Sequence, residues 1–252
     1  MLKGAFALDY FLIGIATIFL TFLQLYNFQI KKHFSHISKY FHWKQWKYIL
    51  SHSRQMLLGI ILFTASVLLL VLTNNLISEY IIIGVFLISI FTYYLSTAHG
   101  LKNLFKYEEV HLHLMAIVKL ITVFFSTMVV VKISGLYMGY TEIAALSIGL
   151  IYMWFMYQFK CQITDSYVKY ENTFIISIAL VSSVMFYTIS QAMVSQMLVI
   201  TILFAFYYFS WGVFKHYITH TLNKKIILEY LIFSLLLIAL IGLQNPFWEK
   251  IL

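Results

Sequence analysis

Eight stretches of this chain run almost without charge for the length of a membrane crossing: residues 9–28, 55–73, 79–98, 114–134, 141–159, 173–189, 193–214 and 226–243. A helix needs about 20 apolar residues to traverse the hydrocarbon layer, at about 1.5 Å per residue. No water satisfies a peptide group there, so each run closes its own backbone hydrogen bonds. The pattern predicts an all-α, polytopic integral membrane bundle of about eight transmembrane helices. The fourth run is the shortest in clean apolar length, because Lys119 and Lys132 bracket only 12 uncharged residues. The chain is 62% hydrophobic and only 10% charged, where a soluble domain has about 25% charged residues. That excludes a soluble enzyme, a disordered chain and a conventional nucleic-acid binder. The connections are short, so residues 1–252 read as a single membrane domain. Pro246 is the one proline and lies outside every run, so no span carries a proline kink. Cys161 is the one cysteine, which excludes an internal disulfide and a cysteine metal cluster.

The connections alternate in charge. Segments 29–54, 99–113, 160–172 and 215–225 hold 13 of the 17 basic residues. Basic loops stay on the cytoplasmic side. The expected arrangement is a bacterial cytoplasmic membrane with both termini outside. The charge of +8 is therefore a topological signal, and no nucleic-acid partner is expected.

Residues 29–54 differ from the other connections. On a helix, Ile30, Phe34, Ile37, Phe41 and Tyr48 form one narrow stripe, and Trp43, Trp46 and Leu50 lie opposite. Lysines and histidines fill the remainder. This predicts an amphipathic helix on the cytoplasmic face of the bilayer, with aromatics at headgroup depth and lysines near anionic lipid. The second apolar face also suits docking of a cytosolic partner protein.

All nine histidines fall in the basic connections or at their edges. Three groupings have the spacing of metal ligands. His216 and His220 are four apart, which places them on one face of a helix. His111 and His113 form an H-x-H pair, suited to one metal on extended backbone. His99 ends the third span beside Gly100. Neutral imidazole binds iron, zinc, copper or nickel, and Glu108 and Glu109 could supply carboxylates. Together these residues would make a transition-metal site at the membrane face. The histidine boxes of membrane di-iron desaturases require several H-x-x-x-H and H-x-x-H-H groups, whereas this chain has one H-x-x-x-H and no adjacent pair. Residues 96–103 (STAHGLKN) resemble the P-H-G-x-x-D box of bacterial carotene-cleaving membrane dioxygenases, and residues 211–216 (WGVFKH) are similar to a later W-H-x-x-R-H segment of that family. Ala98 stands in place of the proline, Asn103 in place of the aspartate and Gly212 in place of a histidine, and no middle histidine occurs near Gln158. The resemblance implies an isoprenoid-cleaving metal enzyme that has lost part of its ligand set.

Lys119 lies about 9 Å inside the fourth span, at 1.5 Å per residue. An ionisable group within a span faces a bundle interior or a wet cavity and marks a function by default. The plainer reading is a lysine stem reaching back to the headgroups. Glu229, near the start of the eighth span, is a candidate partner at the same depth, unless it pairs with Lys225 one turn earlier. Small residues gather in the fifth span (Ala144, Ala145, Ser147, Gly149) and the sixth (Ser177, Ala179, Ser182, Ser183), predicting close helix contact there. No phosphate-binding Gly-rich loop, G-x-S-x-G or H-E-x-x-H motif occurs. The leading function is thus a transport-type permease subunit or the membrane partner of a cytosolic protein. The alternative is a membrane-embedded histidine-metal enzyme acting on a lipid or isoprenoid.

Overall fold

A computed structural model describes residues 44–73, 75–102, 108–137, 140–163, 170–192 and 194–243, with side chains over 57–73, 75, 77–95, 113–137, 140–160, 170–192 and 194–242. The described residues form seven helices: α1 (Lys44–Val71), α2 (Leu76–Lys102), α3 (Glu108–Leu136), α4 (Thr141–Ile163), α5 (Glu171–Gln191), α6 (Gln196–Ile218) and α7 (Lys224–Leu243). Six contain stretches long and apolar enough to cross a membrane. The chain is a multi-pass membrane protein of helical class. The expected first span, 9–28, lies outside the described residues. The expected second span corresponds to a shorter apolar stretch, Leu57–Val71.

The helices overrun the apolar runs at several ends. The fourth span was expected over 114–134, yet α3 begins at Glu108 and ends at Leu136. The bracketing lysines do not interrupt it, because a helix satisfies its own backbone wherever its side chains lie. Two acidic residues open α3, where the positive end of the helix dipole favours them. Residues 44–54 were expected in a surface helix, but they continue without a break into the apolar part of α1. Trp46 sits in the first turn of that helix, whereas Phe34, Ile37, Phe41 and Trp43 lie outside the described residues.

The chain divides into two compact units, one up to Val118 and one from Lys119. In the first, α1 packs on α2. Leu58, Leu62, Ala65 and Leu69 face Ile82, Phe86, Ile90 and Tyr93, all buried. The spacing, four, three and four on α1 and four, four and three on α2, is that of a narrow helix–helix seam. The Phe63 and Phe86 rings meet there at 6.3 Å. Ser66 and Ser89 donate to the carbonyls of Leu62 and Val85 at 2.7 and 2.6 Å, which satisfies buried hydroxyls inside an apolar seam. The outward positions are apolar as well: Ile77, Ile81, Ile88 and Phe91 are exposed. Such surface is suited to lipid rather than water.

In the second unit α4, α5, α6 and α7 pack in sequence, and α6 also touches α4. α6 is the central helix, with Leu203, Ala205, Tyr207, Trp211 and Phe214 buried. α7 lies outermost and exposes Leu228, Ile232, Leu235, Leu236 and Leu240. Gly149 permits the α4–α5 approach: a Cβ there would meet Ser183 Oγ and stand 2.8 Å from the Ala179 carbonyl oxygen. The predicted small-residue contact between these two helices is present at this point. Gly212 does the same for α7, since its Cβ would enter the Tyr230 ring. Ser234 of α7 also donates to the Ala205 carbonyl of α6 at 3.2 Å.

Candidate functional site

Lys119 begins a buried polar stripe on α3. Thr122 and Ser126 follow at three and seven residues, which keeps all three on one helical face. Lys119 is 3% exposed and Ser126 7%, and Thr122 is fully buried. The ammonium of Lys119 stands 5.8 Å from the centroid of the Phe159 ring on α4. That is cation–π range. The lysine thus points into the helix packing rather than back toward a headgroup. Beyond Phe159 the Trp211 ring of α6 meets it edge-on at 5.4 Å, and Lys215 lies 5.7 Å over Trp211.

The stripe continues in hydroxyls. Thr127 donates to the Val123 carbonyl at 2.8 Å and approaches the Tyr152 hydroxyl at 3.4 Å. Tyr152 and Tyr207, both fully buried, meet at a tilt of 55° with ring centroids 4.7 Å apart between α4 and α6. Ser126 Oγ has no hydrogen-bond partner among the described residues. A buried hydroxyl without a partner costs roughly 1–3 kcal/mol. In a chain this apolar, an alanine there would be simpler to fold. Gln158, beside Phe159, is buried too.

A second charged feature was not singled out from the sequence. Lys160, in the last turn of α4, makes an ion pair with Glu171, in the first turn of α5. Glu171 is 2% exposed. Lys160 also donates to Asn172 Oδ1 at 3.1 Å and lies 5.8 Å from the Tyr157 ring. Tyr170, preceding α5, takes left-handed backbone (φ 65°). The signal in the sequence is an acidic residue at the start of a helix, three residues before a run of apolar ones. Read alone, it looks like a solvated helix end.

Glu229 is exposed on α7 and makes no ion pair with Lys225 among the described residues.

The backbone at two of the histidine groupings differs from the conformation their spacing assumes. His216 and His220 were expected on one face, but α6 ends at Ile218 and His220 turns to left-handed conformation (φ 55°). The Thr221 amide donates to the His216 carbonyl at 2.9 Å. Thr221 Oγ1 lies 2.7 Å from His216 Nδ1 and 2.8 Å from Thr219 Oγ1. His216 is thereby tied into a helix cap. His111 and His113 both lie in helical backbone of α3, and positions two apart on a helix fall on opposite sides. His113 is exposed. α2 runs through His99 to Lys102; the side chains of His99 and His111 are outside the described ones. Among the described residues no group of three or more histidine, cysteine, aspartate or glutamate side chains could hold a metal ion.

No known protein family, curated protein or solved structure matches the chain. The likeness of residues 96–103 and 211–216 to the dioxygenase boxes gains nothing from these comparisons.

Proposed function

We propose that this protein is a transport-type permease subunit in which the inner face of α3 meets the solute and Lys119 supplies the charge. The observation that carries this reading is the burial of Lys119, in line with Thr122 and Ser126, within an apolar helix. A lysine in the hydrocarbon layer costs roughly 2.5–3.5 kcal/mol relative to an apolar residue at mid-span. Retaining it together with two buried hydroxyls points to use rather than to stability. The sign of the charge selects a solute that is anionic or carries one anionic group. The basic connections put the Lys119 end of α3 at the cytoplasmic side, with both termini outside. The chain carries no nucleotide-binding loop, so movement runs down a gradient or is driven by a separate ATPase docked at residues 29–54.

The test is counterflow in proteoliposomes. Vesicles of purified protein are preloaded with chloride, phosphate, a monocarboxylate or a dicarboxylate, and uptake of the labelled solute is measured. Wild type should give saturable uptake of at least one, Lys119→Leu should reduce it more than tenfold, and Lys119→Arg should retain part of it. Flux in Lys119→Leu equal to wild type, or none above empty vesicles in wild type, overturns the reading.

A further inference from the structure

The second unit carries a cleft where α5 starts and α6 ends. Its volume is about 360 Å³, and Phe174, Ser177, Val213, Tyr217 and Leu222 line it. That lies within the roughly 300–1,000 Å³ of small-ligand sites. The floor is flat and aromatic. Phe174 stacks nearly parallel to Phe214 at 5.2 Å and to Tyr217 at 6.3 Å. A second apolar cleft of about 390 Å³ follows on α5, lined by Leu180, Val184 and Thr188 among others. Thr173, Ser177, Leu180, Val184 and Thr188 advance by four, three, four and four residues, so they share one face of α5. All five are exposed. The two clefts therefore lie in line along one face of the helix, a track about 22 Å long at 1.5 Å per residue, the second part of it lined by α5 alone.

Two basic residues follow Leu222, which lines the first cleft, in the chain. Lys224 and Lys225 follow Leu222 by two and three positions and open α7. Both are exposed and neither makes an ion pair among the described residues. No acidic residue occupies the first turn of α7. Two cations at the positive end of a helix dipole are unfavourable there, so an anion arriving from outside the chain would relieve them. An elongated apolar track with two cations close in the chain to one of its lining residues matches one kind of molecule.

We propose that this track is a binding site for one anionic phospholipid, with an acyl chain along α5 and the phosphate at Lys224 and Lys225. A compact solute would leave most of the track empty. An apolar peptide would not answer the two lysines. The inference rests on membrane embedding and not on the transport reading.

Native mass spectrometry of delipidated protein in non-ionic detergent tests it. The protein is titrated with phosphatidylglycerol and, separately, with phosphatidylcholine of the same acyl chains. Wild type should bind one phosphatidylglycerol at least tenfold more tightly than phosphatidylcholine. Lys224→Gln/Lys225→Gln should weaken phosphatidylglycerol about thirtyfold, which is about 2 kcal/mol at 1.4 kcal/mol per tenfold and about 1 kcal/mol for each lysine. Ser177→Trp fills the track and should remove this binding while both lysines remain. Equal affinity for the two lipids overturns the proposal. So does wild-type binding in either variant, or occupation of the track by a second copy of the chain. Lys119→Leu should bind phosphatidylglycerol as wild type does, so a failed flux assay and a failed lipid titration are separate results.

Discussion

Replacing Gly149 by alanine adds one methyl group at the tightest point of the α4–α5 seam. Its carbon would meet Ser183 Oγ and lie 2.8 Å from the Ala179 carbonyl oxygen. The serine can turn away, at the loss of its 3.0 Å bond to the same carbonyl. The carbonyl cannot, because it belongs to helix backbone. Ordinary contact begins near 3.4 Å, so α5 must retreat by about 0.6 Å along the seam. Overpacking of this kind costs typically 1–3 kcal/mol. The change also gains helix propensity, about 0.8–1.0 kcal/mol for glycine to alanine in a helix interior. The net expectation is a loss of about 0–2 kcal/mol, centred near 1 kcal/mol. Gly242→Ala, in the same unit, meets nothing within 4 Å and should leave stability equal or slightly raised. Both proteins are unfolded by heat and by denaturing detergent in parallel with wild type. Adding Ser183→Ala to Gly149→Ala should recover only part of the loss, since the carbonyl contact persists. A Gly149→Ala protein as stable as Gly242→Ala would refute the argument that this seam is closed by backbone contact.

Two further outcomes follow from the same geometry. Glu171→Gln leaves the Lys160 ammonium without its carboxylate at a nearly buried site, and should cost roughly 3 kcal/mol; Glu171→Gln/Lys160→Met should be the more stable of the two proteins, and a reversed order in thermal unfolding would count against a buried pair. Gly212→Ala drives a Cβ into the Tyr230 ring, so it should loosen α7 from α6 and raise amide hydrogen exchange in α7 while α5 stays protected. Unchanged exchange in α7 would show that the ring swings aside freely.

How much could be read without the fold differs from one residue to the next. Crossing helices are legible because hydropathy and length act locally, and the backbone has no other way to satisfy itself in lipid. Their ends are less legible. Polar residues mark where lipid stops but not where helical hydrogen bonding stops, which is why α3 starts at Glu108 and α1 reaches back to Lys44. The close α4–α5 contact was visible in its glycine, alanines and serines, because small side chains advertise close approach. The depth of Lys119 could be counted along the chain. Which way it points could not, since a lysine stem reaches either a headgroup or a neighbouring ring, and only the placement of Phe159 on another helix decides between them. The Lys160–Glu171 pair joins two helix ends across a connection, so neither residue looks unusual in its own segment. The histidine spacing could not show the backbone: the helix ends at Ile218 and His220 is left-handed, so the register on which an i, i+4 argument depends does not reach His220. Composition and periodicity thus determined a helical membrane protein. Which polar groups it buries was decided by contacts between helices, which pattern along a single helix does not encode.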